Sequence, residues 1–325
     1  MSFITKILKK IKYLTKADIF SEESEKHKVL LAQNIAISKN QLTSIDDFRD
    51  VEFSCFSQWG EDGIINWLVS KLPTIPKKFI EFGVGNYKES NTRLLLQLHN
   101  WQGLVIDSSY KYIQNIKSQE ISWRHQLESV CAHISKDNIN QLLENKGMNS
   151  DIGLLSIDID GNDYYVWQSI QIIKPIIVIV EYNAVLGDLH PITIPYKSDF
   201  FRTKAHFSNL YFGASLTALI TLGKKKGYTF VGTNTNGVNA FFIRDDFAPK
   251  ITSLLSSISA YPSLSRESRD ADGKMTFLSG LERLEIIRDC KTFNIETNEV
   301  TNIDKLGKIY SANWQVGKKI TIKIN

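Results

Sequence analysis

Three carboxylates fall within six residues in Asp158-Ile-Asp160-Gly-Asn-Asp163, at the end of an apolar run from Ile152 to Ile159. The next apolar run, Pro175 to Tyr182, ends in Glu181-Tyr182-Asn183. Acids crowded at neighbouring strand ends repel one another unless a cation or a shared proton relieves them. Oxygen-only ligands favour Mg²⁺ or Mn²⁺ over zinc, which makes Asp158, Asp160 and Glu181 a candidate cation site. In a metal-free site, Asp160 or Asp163 would be a general base whose neighbours lift its pKa toward the working range. His190, in the proline-flanked loop Gly187 to Pro195, is a third candidate for proton transfer. Any single one of these acids also suits helix capping.

A second set of residues suits a nucleoside. Glu81-Phe-Gly83-Val-Gly85 ends another apolar run, and its glycines allow a tight turn and close approach of backbone to a ligand. The third glycine of a dinucleotide loop is missing, since that place is Lys88, which argues against a bound pyrophosphate. Asp107 ends the following run, 22 residues after Gly85, where a carboxylate can accept two hydrogen bonds from a ribose diol. Asp107 alone also suits a turn or N-cap before a helix over Tyr110–Lys117. Gln58, Glu61 and Asp62 precede the first run and either close over the amino-acid end of a cofactor or cap a helix over Ile64–Lys71. Asn183, Arg202 and Tyr211 are candidate acceptor contacts, while Arg93 and Lys224 to Lys226 read as solvated faces.

These residues need a scaffold that brings strand ends together. The runs Lys78 to Val84, Gly103 to Asp107, Ser129 to Ile134, Ile152 to Ile159 and Pro175 to Tyr182 are too continuously apolar for a sheet with one face in water. Five buried parallel strands, a helix near Ser215 to Lys226 and an antiparallel hairpin, Tyr228 to Thr233 with Asn239 to Arg244, complete an α/β sheet of seven strands. The region 56–247 is therefore one domain. Residues 1–55 read as a helical basic extension, with a stripe of Phe3, Ile4, Ile7, Leu8, Ile11 and Leu14 beside Lys6, Lys9, Lys10, Lys12 and Lys16. Such a helix packs on its own domain or a second subunit, or lies on an anionic membrane face. Residues 248–325 hold a helix near Leu278 to Cys290 and a last strand with Ile320, Ile322 and Ile324.

The 325 residues are 42% hydrophobic and 23% charged, an ordinary globular composition that excludes a fibrous or disordered chain. A formal charge of +4 is too small to imply a nucleic-acid partner without a localised basic stripe. Three cysteines without CxxC spacing suit a reducing compartment, and no apolar run is long enough to cross a bilayer or act as a signal peptide. The expected location is cytoplasmic, with peripheral membrane contact through the N-terminal helix as the alternative.

Together, Phe56-Ser-Gln-Trp-Gly-Glu-Asp-Gly63, the Glu81 to Gly85 loop, Leu155-Ser-Ile-Asp-Ile-Asp-Gly161 and Gly237-Val-Asn-Ala-Phe-Phe242 resemble the FkbM-type S-adenosylmethionine-dependent methyltransferases. The resemblance spans about Phe56 to Phe247. It implies a Rossmann-like methyltransferase fold with a reversed final hairpin, and O-methylation of a sugar or related natural-product hydroxyl. By position it implies that Glu81, Gly83 and Gly85 form the cofactor loop and Asp107 holds the ribose. The commoner family form resembles Asp-x-Glu-Gly-x-Glu, whereas this chain has Asp158-x-Asp160-Gly161-x-Asp163. Two rival readings stay open: a glycosyltransferase using Asp158-Ile-Asp160 as a metal-bound DxD motif, and a nonenzymatic cofactor-binding subunit.

Overall fold

A computed structural model describes residues 23–148 and 151–322. Its central sheet contains β1 (Lys78–Phe82), β2 (Gln102–Asp107), β3 (Leu127–Cys131), β4 (Leu154–Ile157), β5 (Ile177–Glu181), β7 (Tyr228–Thr233) and β8 (Asn239–Arg244), while the short β6 (Ile192–Thr193) lies outside it. The order is β3-β2-β1-β4-β5-β8-β7. Strands β1 to β5 are parallel, β8 runs antiparallel to β5, and β7 pairs with β8 as a hairpin. This is a Rossmann-like methyltransferase fold. The chain winds outward in both directions from β1 and β4, so their connections diverge and leave a crevice beyond their carboxyl ends.

Side-chain alternation explains why both faces are buried. Ile80, Phe82, Leu155, Ile157, Val178 and Val180 enter one apolar core, and Phe79, Leu154, Ile177 and Ile179 enter the other. The third strand departs from expectation. It starts two residues earlier than the apolar run, and Glu128 and Cys131 are exposed, because β3 is the edge of the sheet and has only β2 beside it. The fourth strand is shorter than its run, because the Ile159 N–H leaves the ladder to donate to the Asp163 carboxylate at 2.8 Å.

The amphipathic stripe and the lysines from Lys6 to Lys16 lie outside the described residues. A helix over 23–40 follows and is tied down by Arg93, which donates to the Glu25 carboxylate at 2.9 and 3.0 Å. Arg93 is not a solvated side chain: it is 2% exposed and its guanidinium stacks over Phe56 at 5.0 Å. No helix among the described residues is long and apolar enough to cross a membrane.

Residues after 247 are woven into the same cores. Strand β9 (Ile258–Ala260) pairs with β12 (Ile320–Ile322), and β10 (Lys291–Asn294) joins β6 to β11 (Val300–Asn302). Ile309, Tyr310 and Trp314 are buried in the main core, where Tyr310 donates to the Val185 carbonyl at 2.9 Å and Trp314 Nε1 to the Ala184 carbonyl at 3.1 Å. Ala184 and Val185 directly follow the polar end of β5, so the tail braces the crevice from behind. Trp314→Ala should lower unfolding free energy by about 3 to 5 kcal/mol, the range for emptying a buried aromatic site. Denaturant titration checks this, and a loss below about 1 kcal/mol would mean that the tail does not brace the sheet.

Candidate active site

The glycine loop is shaped by contact with β4. Gly83 has φ +75°, and a Cβ there would lie 1.5 Å from the Asp158 carbonyl oxygen, so no other residue fits without moving the acidic loop. Gly85, at φ +53°, faces open space and donates its N–H to Asp107 at 2.8 Å. The other Asp107 oxygen accepts from the Ser109 N–H at 2.7 Å, while Ser109 itself caps the helix Tyr110–Ser118. Asp107 is thus oriented by two backbone groups, and each oxygen keeps a further lone pair for a diol. Glu81 is buried beneath the loop. It accepts from Ser90 Oγ, Thr92 Oγ1 and the Asn91 N–H, which pins the turn that follows the glycines. Desolvation nevertheless raises its pKa.

Asp158 and Glu181 meet across β4 and β5. Oxygens of Asp158, Asp163 and Glu181 lie within 4.8 Å of one another. Burial first, and repulsion from the neighbouring acids second, hold the Asp158 and Glu181 carboxyls well above the ordinary carboxylate range. One proton shared between them is the outcome that this crowding favours. The Oε2 atom of Glu181 is buried without a hydrogen-bond partner. Asp160, expected from the sequence in the cation site, turns outward at φ +55° and takes a 2.7 Å hydrogen bond from Arg202. Asp163 replaces it in the acidic cluster. Its two oxygens accept from the Ile159 and Gly161 N–H groups at 2.8 Å, and desolvation lifts its pKa to about 6.

The crevice has two hollows sharing the glycine loop, Asp158, Asp160 and Arg202. The smaller, about 430 Å³, is bordered by Asp107, Ile134, Tyr112 and the ring pair His133 and Phe201, whose centroids are 5.8 Å apart. The larger, about 630 Å³, runs past Gln58 and Glu81 to Asp158, Glu181, Asn183 and the segment after Pro262. Asn183 borders it, but its amide donates to the Leu210 and Phe212 carbonyls at 2.9 Å and so mainly fixes that loop.

Five candidates, Glu61, Asp62, Asp163, His190 and Tyr211, do not border either hollow. Glu61 is turned inward, accepting at 2.8 Å from Asn234 and Asn239 side chains and from the Trp59 N–H. His190 bonds to the Lys308 carbonyl at 2.9 Å, and the Tyr211 hydroxyl donates to the Lys291 carbonyl at 2.6 Å, both on the tail side. Asp163 spends its oxygens within its own turn. Sequence reasoning missed His133, which follows the end of β3 within an expected apolar run, and Phe201, Glu267 and Arg283, which border the crevice from segments without an apolar strand to mark them.

No family model matches the chain, and no curated protein matches it. Among solved structures, it is similar to an S-adenosylmethionine-dependent methyltransferase from Clostridium acetobutylicum at 12% identity and a TM-score of 0.36, covering 57% of this chain and 90% of that one. It is also similar to the fibrillarin pre-rRNA processing protein of Methanococcus jannaschii at 8% identity and a TM-score of 0.35, covering 53% and 70%.

Asp62 anchors the entry to the crevice by accepting from the Cys55, Phe56 and Ser57 N–H groups at 2.6 to 2.7 Å. Desolvation lifts its carboxyl from 3.8 to about 6, against the lowering effect of those bonds. Because the folded value lies above the unfolded one, its contribution to stability is full below the unfolded pKa and is lost as pH rises through about 6. Asp62→Asn retains an acceptor oxygen but not the titration. The variant's stability should therefore fall less than the wild type's between pH 4 and pH 7, by on the order of 2 kcal/mol. Equal pH dependence in denaturant titrations of the two proteins would contradict this.

Proposed function

We propose that the chain is an FkbM-type methyltransferase that moves a methyl group from S-adenosylmethionine to a sugar hydroxyl of a glycan or related natural-product precursor. The observation that carries this reading is the Asp107 carboxylate held by the Gly85 N–H at 2.8 Å, at the mouth of a hollow flanked by flat rings. The residues fit the cofactor. Asp107 would take the ribose diol, His133, Tyr112 and Phe201 would border the base, and the open side of Gly85 admits the chain that leads to Gln58.

When bound, S-adenosylmethionine supplies a methyl group on a sulfonium, already a good electrophile. The protein's tasks are then orientation, exclusion of water and removal of a proton. The Asp158 and Glu181 pair is suited to the last task. Holding one proton between them, the two carboxyls carry one negative charge that is a stronger base than an ordinary carboxylate, because burial disfavours ionisation. A carboxylate oxygen of the pair accepts the hydroxyl proton as the oxygen becomes a nucleophile. Arg202, fixed by Asp160 and the Asn209 carbonyl, keeps the pair's remaining charge tolerable without joining it.

A metal-assisted reading is favoured by the three converging carboxylates. Asp158, Asp163 and Glu181 would hold Mg²⁺ or Mn²⁺, which would acidify the hydroxyl. The backbone bonds at Asp163 weigh toward the proton-sharing pair. Exhaustive chelation followed by product formation separates them: retained activity supports the pair, and loss rescued by Mg²⁺ or Mn²⁺ supports the cation. Contact of the basic N-terminal residues with an anionic membrane is part of this proposal and is checked by liposome flotation.

Asp107→Ala should weaken binding of S-adenosylhomocysteine by about 1.5 to 3 kcal/mol in calorimetry, with melting behaviour as control. Unchanged affinity would overturn the ribose assignment. Asp158→Asn or Glu181→Gln should lower the methyl-transfer rate by about 100-fold or more while retaining that binding. In the wild type the rate should rise with pH through an inflection above the usual carboxylate range. Full activity in both variants would remove the pair from the mechanism.

A further inference from the structure

Ser263, Ser265, Glu267 and Arg283, all after residue 247, border the larger hollow together with the acidic strand ends, and Arg283 is a buried cation. Arg283, on the helix Gly280–Ile286 packed against Ala184–Leu186, is 6% exposed and borders the hollow. Its side chain makes no hydrogen bond or ion pair with another described residue, and its Nε is buried without a partner. Arginine stays charged at any ordinary pH and presents a planar fork of donors. A mostly buried guanidinium that borders a hollow without a paired counter-ion is unfavourable, so this arrangement is explained when a ligand in the hollow supplies the charge.

Nearby groups do not supply it. Arg202 adds repulsion and is itself satisfied by Asp160, the Asn209 carbonyl and the Phe212 ring. Glu267 is the nearest acid, but it is engaged by Arg202 at 3.5 Å, Arg269 at 3.7 Å and the Asn209 amide at 3.4 Å. Ser263 and Ser265 border the same hollow.

We propose that the acceptor carries an anionic group, a carboxylate or a phosphate, that seats on Arg283 while its hydroxyl faces the strand ends. This rests on the methyl-transfer reading and narrows its substrate to acidic or phosphorylated sugars. Bidentate pairing with a guanidinium suits both anions. Arg283 and the acidic strand ends border one hollow, so an acceptor anchored by its anion on the guanidinium can present its hydroxyl to Asp158 and Glu181.

The test uses the full chain, with S-adenosylhomocysteine present, titrated with inorganic phosphate, glucuronate and neutral glucose at matched ionic strength set with chloride. The wild type should bind phosphate or glucuronate and not glucose. Phosphate as the tighter probe assigns a phosphorylated acceptor, and glucuronate as the tighter probe assigns an acidic sugar. Arg283→Gln should weaken anion binding at least tenfold with unchanged affinity for S-adenosylhomocysteine. Arg283→Met should melt no lower than wild type in chloride, since it removes an unpaired buried charge. No anion binding by the wild type, equal binding by Arg283→Gln, weakened S-adenosylhomocysteine binding in that variant, or clear destabilisation by Arg283→Met would each overturn the proposal. A wild type that binds anions through Arg283 but not S-adenosylhomocysteine would instead overturn the methyl-transfer reading and leave an anion site standing.

Discussion

Adjacent parallel strands place their carboxyl ends side by side, and in this chain β4 leads into the half-buried Asp158 while β5 ends in the buried Glu181. Much of the surrounding structure follows from containing that charge. The Asp163 carboxylate is occupied by its own loop's N–H groups, Asp160 is drawn outward by Arg202, and Asp158 and Glu181 are left with each other. A pair that can neither separate nor fully ionise is poised to exchange a proton, which is how a structural strain becomes chemistry.

The same edge is positioned by a steric limit at its other end. Gly83 approaches the Asp158 carbonyl so closely that the glycine loop and the acidic loop form one unit, and Asp107 is registered on that unit through the Gly85 N–H. The groups proposed for nucleoside recognition and proton transfer are therefore mechanically joined across β2, β1, β4 and β5. The tail completes the crevice, with Tyr310 and Trp314 bonded to the Val185 and Ala184 carbonyls after β5 and Arg283 bordering the larger hollow.

Much of this was legible in the sequence because burial on two faces writes itself as uninterrupted apolar runs. The hairpin Tyr228–Thr233 and Asn239–Arg244 has the expected bounds, and the helix Leu216–Lys226 stands where the sequence places it. The edge strand was harder, since Leu127 and Glu128 carry no buried signature. Arg93 was misread because a charge within a helix looks solvated until its partner, Glu25 from a distant segment, is known. The exchange of Asp160 for Asp163 in the acidic cluster depends on a single left-handed backbone angle, which residue types alone do not encode. The helix that carries Arg283 was expected near Leu278 to Cys290, but its docking beside the crevice, like that of Glu267, depends on long-range contacts that periodicity does not encode.

The central claim is that one crevice holds a ribose on Asp107 and presents a reacting centre to Asp158 and Glu181. A crystal structure of the full chain with S-adenosylhomocysteine tests this directly. The account predicts the ribose diol within hydrogen-bond distance of the Asp107 carboxylate, the base beside His133 and Phe201, and the sulfur directed toward Asp158 and Glu181. A ligand bound elsewhere, or bound in the crevice with its ribose away from Asp107, would contradict it.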